Sequence, residues 1–157
     1  MAGILVPAAQ AGGMTLLSTT TLTGATVNIT SINQTYINLQ MIIEGITLSS
    51  SQDCFIKFNT STVPELNGVA GGVAFNKATG EFIPSATASI SINNYTIINY
   101  ASTSFRKPIF GSGTTSTTNA LLFGGSIPTN TAITAINFSV GGGATFTGGT
   151  VRLYGVK

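Results

Sequence analysis

The sequence predicts an all-β protein, a jelly-roll-like antiparallel β-sandwich with an extended N-terminal arm. Three observations carry that reading. Apolar residues recur with a period of two in segment after segment, while the three-to-four-residue spacing of an amphipathic helix is almost nowhere found. Gly- and Asn-bearing turn signals separate these segments at short intervals. Between Ser18 and Ile43 there is no charged side chain at all, and Thr, Ser and Asn occupy the positions that alternate with the apolar ones. Thr suits such a pattern because its branched Cβ fits a pleated strand while its hydroxyl keeps the outer face wet.

In order along the chain, residues 1–13 show no alternation and end in Gly12-Gly13, so they are read as an arm, with an apolar tip of Ile4, Leu5, Val6 and Pro7. Fully extended, the arm reaches about 40 Å. Residues 14–157 form the sandwich domain. In it, Ala25, Val27 and Ile29 oppose Thr26, Asn28 and Thr30, and Ile37, Leu39, Met41 and Ile43 oppose Asn38, Gln40 and Glu44. Cys54, Ile56 and Phe58 share one face, which makes Cys54 a buried structural thiol. Ala88, Ile90 and Ile92 oppose Thr87, Ser89 and Ser91; Ile136, Phe138 and Val140 oppose Asn137 and Ser139; Val151 and Leu153 oppose Arg152 and Tyr154. Thr23-Gly24 and Asn93-Asn94 are expected as two-residue hairpin loops. The Gly-bearing stretches "NGVAGG", "GSGTTS", "FGGSIP" and "VGGGATFTGG" are expected as longer connections, and Asp53, Glu65 and Glu81 as turn or loop residues. Eight to ten short strands so spaced favour two packed sheets over one open sheet.

Composition narrows function by exclusion. Charged residues make up 6% of the 157, against about 25% in ordinary soluble proteins. Apolar runs stay far below the roughly 20 residues of a membrane-spanning helix, and the N-terminus lacks the basic region of a signal peptide. The six Lys and Arg residues are scattered and the net charge is only +2, which argues against a nucleic-acid partner. So little charge gives little colloidal repulsion, so an assembled state is expected.

Reactive groups are equally sparse. With no histidine, the Ser-His-Asp triad, the Cys-His pair and imidazole metal ligation are ruled out. Glu44, Asp53, Glu65 and Glu81 form no local pair of the kind glycoside hydrolysis needs and read as solvated or capping carboxylates. "GGGATFTGG" lacks the Gly-Lys-Ser/Thr and helix of a phosphate-binding loop. N-x-Ser/Thr occurs five times, as a composition rich in Ser and Thr dictates. The Thr clusters show no fixed repeat of a solenoid. Tyr95, Tyr100, Phe105 and Phe110 gather in one short region, where aromatic residues of a sandwich usually serve core or interface. No catalytic residue, cofactor or metal site is expected.

The segments "TLLSTTTLTGATVNITSINQTYINLQMIIEGI", "INYASTSFRKPIF", "NTAITAINF" and the terminal "VRLYGVK" together resemble a family of tailed-bacteriophage virion proteins. These are small β-sandwich modules often ending in Leu-Tyr-Gly-aliphatic-Lys, here Leu153 to Lys157. The resemblance runs from about Met14 to the end. It implies a non-enzymatic structural role on the virion, as a free-standing capsid decoration protein or as the tip module of a fibre. With Met1 only 13 residues before the module and no shaft ahead of it, the decoration form is expected. Its partners would be further copies of itself, as a trimer, and the major capsid protein. The contact residues are expected to be Ile4, Leu5, Val6 and Pro7 of the arm, with Arg106 and Lys107 against acidic capsid loops. A fibre-tip module holding host glycans is the alternative.

Overall fold

The structure is a computed structural model that describes residues 13–70, 73–77, 81–88, 92–114 and 120–157; for residues 70, 73, 75, 77 and 81–88 the description is of the backbone. The arm tip Ile4–Pro7 lies outside the described residues. The strands are β1 (Met14–Thr21), β2 (Thr26–Ile29), β3 (Asn38–Phe58), β4 (Glu65–Ala70), β5 (Val73–Lys77), β6 (Glu81–Ala88), β7 (Ile92–Ile97), β8 (Lys107–Thr114), β9 (Ala120–Ile127), β10 (Ile136–Val140) and β11 (Phe146–Val156). Every pairing between them is antiparallel, and no helix occurs among the described residues. The chain is all-β, as its alternation predicts, and of sandwich-like class.

The 21-residue strand β3 organises the sheet. Its first half lies between β11 and β7 in the path β1-β11-β3-β7-β8-β9-β4-β5, and its second half pairs with β10 and β6, with β2 beyond β10. Gly45 marks the passage. Its φ of +63° belongs to the left-handed region that glycine enters without penalty, and the inward set changes parity there, from Leu39, Met41 and Ile43 to Ile46 and Leu48, then Cys54, Ile56 and Phe58. A strand that kept one parity would turn half of this set to solvent. The two halves instead contribute to one core, shared with Ile136, Phe138, Val151 and Leu153. Asp53, expected in a turn, is therefore inside a strand.

Cys54 is fully buried. Burial, reinforced by the charge of Asp53, pushes its thiol up to about 12. Burial, with Cys54 acting in the same direction, pushes the Tyr95 phenol above its ordinary value. Tyr95 meets Phe123 of β9 at 4.7 Å between ring centroids. The two rings meet across Gly111 of β8, which pairs with both residues; a Cβ on Gly111 would stand 2.6 Å from the Phe123 ring. This explains why the Gly-rich stretches expected as loops are largely strand. "GSGT" belongs to β8, "FGGSI" to β9 and "NGVA" to β4; at Gly111 the Phe123 ring, and at Gly125 the β4 backbone, take the space a side chain would need.

Other turn expectations also move. Thr23-Gly24 closes no hairpin, since β1 pairs with β11 and β2 with β10; Gly24 instead bridges to Phe146. Asn93 and Asn94 lie within β7, paired with Ile43 and Ile42 of β3, and form no hairpin loop. Ile92, expected inward, is exposed, as is Ile37 just ahead of β3. Glu65 and Glu81 open strands β4 and β6. At the C-terminus a Cβ on Gly155 would overlap the Tyr36 ring, so glycine is what lets that ring lie flat on β11, and the Lys157 ammonium sits 6.0 Å from its centroid. That gives the Tyr-Gly-aliphatic-Lys ending a local physical role.

Candidate functional site

The strands β1-β11-β3-β7-β8-β9-β4 turn one face to the core and leave the other uncovered by the remaining described residues. Their register sets out that outer face in rows. One row runs Leu16, Tyr154, Gln40, Thr96, Phe110, Gly124, Asn67. The next runs Arg152, Ile42, Asn94, Ser112, Leu122, Val69. The residues between them along each strand, such as Met41, Tyr95, Phe123 and Leu153, are buried, as the two-residue period requires.

Large apolar side chains stand in the open on these rows and those beside them. Leu122 is 63% exposed, Ile92 54%, Leu16 52%, Met14 50%, Phe110 47% and Val69 44%. Single exposed apolar residues are ordinary, but a contiguous set rimmed by polar groups marks a contact surface. Phe110, Leu122 and Val69 border an open groove of about 530 Å³ completed by Asn67, Asn94 and Thr96. Its hollow follows from Gly124, which leaves the space beside Phe110 unfilled. The groove's polar groups are amides and hydroxyls, and Asn94 Oδ1 accepts a hydrogen bond from Gln40 Nε2 at 2.5 Å.

The charges that reach this face are paired within it. Glu44 of β3 holds Arg152 of β11 in a half-exposed ion pair, and Glu65 at the start of β4 meets Arg106 at 3.6 Å. Both are too exposed to contribute much stability. Their effect is to leave the rows electrically neutral.

Arg106 and Lys107, expected as adjacent surface cations, part company. Arg106 is exposed, whereas Lys107 is fully buried and its Nζ donates to the carbonyl oxygens of Thr129 at 2.9 Å and Thr131 at 2.7 Å. The two-residue period turns one outward and the other in, and the 128–133 loop supplies carbonyls to receive the ammonium. Burial pushes the Lys107 pKa below the usual lysine value. Lys107 is thus a structural clamp on that loop rather than a surface contact. Lys107→Met is expected to cost about 2 kcal/mol by stripping two carbonyls of their donor, lowering Tm by about 6 °C; thermal unfolding followed by circular dichroism checks it.

The four aromatic residues considered as one cluster are also divided. Tyr95 and Tyr100 are buried, the Tyr100 hydroxyl donating to the Asn33 carbonyl oxygen, while Phe105 and Phe110 are exposed. Among the described residues no group of three or more Cys, Asp or Glu side chains is placed to hold a metal. The outer apolar rows were only partly signalled by sequence: consecutive apolar residues such as Leu121, Leu122 and Phe123 in a strand oblige one of them to face away from the core. Compared with protein-family models, with curated proteins and with solved structures, the chain matches none.

Proposed function

We propose that this chain is a non-enzymatic structural protein of a tailed-phage virion, a decoration or cement protein that binds the outer surface of the capsid and stabilises the shell. The observation that carries the reading is the broad outer face on which exposed apolar side chains lie among amides and hydroxyls and the charges are paired internally. Burying hydroxyls and amides against a partner costs far less than burying unpaired charges, so such a face is suited to protein contact. The resemblance of residues 14–157 to phage virion modules supplies the setting. In this reading the chain self-associates and the arm tip Ile4–Pro7 reaches across capsid subunits. Because it binds only the assembled shell, it opposes shell opening by mass action.

Counting copies per purified virion, together with labelling of intact particles, tests the proposal. Hundreds of copies distributed over the head are expected; a handful of copies confined to the tail would sink it. The groove beside Phe110 favours one other reading, a fibre-tip module holding host glycans, since an exposed ring flanked by Asn67, Asn94 and Thr96 presents both a stacking surface and neutral hydrogen-bonding groups. That reading requires a tail-only location and glycan binding that Phe110→Ala removes.

A further inference from the structure

We propose that the outer face of the β1-β11-β3-β7-β8-β9-β4-β5 path is the self-association surface of this protein, and that its occupant is the same face of a second copy. The inference deepens the reading above, which calls for self-association without naming a surface; a contact between like faces is two-fold, so it makes the assembled unit a dimer where the family resemblance alone implies a trimer.

Area is the first argument. Eight strands spaced about 4.8 Å apart span roughly 34 Å, and the side-chain rows from Met14 to Ile92 cover about 20 Å along the strands at roughly 3.4 Å per residue. The resulting patch of about 700 Å² is close to the roughly 800 Å² that each partner contributes to a standard stable interface. Charge is the second. A face presented to its own copy juxtaposes like with like, which is unfavourable wherever a net charge stands. Here Glu44 neutralises Arg152 and Glu65 neutralises Arg106 within each copy, so two faces meet without an unpaired charge. Shape is the third. Phe110, Leu122 and Val69 project beside the hollow at Gly124, giving each copy both a protrusion and a recess, as a self-complementary contact needs. Aliphatic Leu122 and Val69 also suit packing against protein better than stacking against a sugar.

The test is the mass of the purified full chain by sedimentation at concentrations around 10 μM, where a micromolar complex is populated. The wild-type chain is expected to be assembled. Leu122→Asp and Val69→Asp each place a carboxylate in the contact and are expected to weaken association about 100-fold or more. Phe105→Asp, on an exposed loop off these rows, is expected to leave it unchanged. Because all three side chains are substantially exposed, circular dichroism should show the same fold throughout.

A monomeric wild-type chain overturns the inference. So does assembly that persists in both Leu122→Asp and Val69→Asp, including the case in which these variants lose binding to capsids or glycans, which would assign the face to that partner instead. The outcome is separable from the virion reading. Head-wide labelling with a monomeric wild-type chain sinks the self-contact alone, and a Leu122-dependent assembly absent from virions sinks the virion reading alone.

Discussion

Gly125→Ala is expected to destabilise the protein by about 3 kcal/mol or more, and to loosen β4 first. Gly125 of β9 pairs with Leu66 of β4, and a Cβ placed on it would overlap the Glu65 carbonyl oxygen and stand 3.1 Å from the Leu66 Cα. Those atoms are backbone, so relief requires β4 to move away from β9 rather than a side chain to change rotamer. Overpacking of this kind costs about 1–3 kcal/mol even where side chains can yield. Gly143→Ala serves as the control. Gly143 has a φ of +75° and open space around it, so alanine there meets only the backbone preference, about 1 kcal/mol. Denaturant unfolding of both variants and hydrogen exchange of the β4 amides decide the matter; equal costs at the two glycines would refute the steric argument. Because β4 carries Val69 on the outer face, the same variant should also weaken self-association.

Alkaline pH is expected to destabilise the fold steeply. Cys54 has an ordinary value of 9.0 and is pushed up to about 12 by burial and by the charge of Asp53. Above pH 9 the unfolded chain releases this proton while the folded chain keeps it. The folded state then binds more protons, so stability falls with rising pH by about 1.4 kcal/mol per pH unit until near pH 12. Tyr95, pushed up by its burial and by Cys54, adds a second loss of the same sign above its ordinary value of 10.0. Lys107 works the other way. Its lowered pKa means that the unfolded chain binds the extra proton up to pH 10.5, so stability gains there as pH rises. Between pH 9 and 10 the Lys107 gain runs against the Cys54 loss, so the net decline sets in above about pH 10, where Tyr95 adds its loss. Urea midpoints from pH 8 to 11 measure it, and Cys54→Ala should lessen the fall above pH 10. A midpoint constant to pH 11 would contradict the buried ionisation states.

Where sequence reading succeeded, a local period was enough. Leu39, Met41 and Ile43, and again Val151 and Leu153, face the core because alternation within a strand is a property of the strand itself. Failures share a different origin. Gly111 and Gly125 look like loop residues until Phe123 and the backbone of β4 are brought against them from 12 and 59 residues away. Lys107 looks like a surface cation until the carbonyls of Thr129 and Thr131 arrive to receive it. The parity change at Gly45 had a visible token, a glycine inside an apolar strand pattern, which is a known sign of a bulge. As for the candidate site, Arg106 is exposed, and the apolar rows around Phe110 and Leu122 become evident only when β4, β7, β8 and β9 are aligned in register.

The position of β11 between β1 and β3 has a consequence for biogenesis. A ribosome delivers β11 after the ten other described strands, so until it emerges β1 lacks its partner among them and the first half of β3 has one free side. Contacts such as Met14 with Val156 join strands far apart in sequence, and pairings of that span close slowly. Nascent chains therefore carry two bare strand edges until β11 emerges, which favours cross-pairing between chains on one polysome.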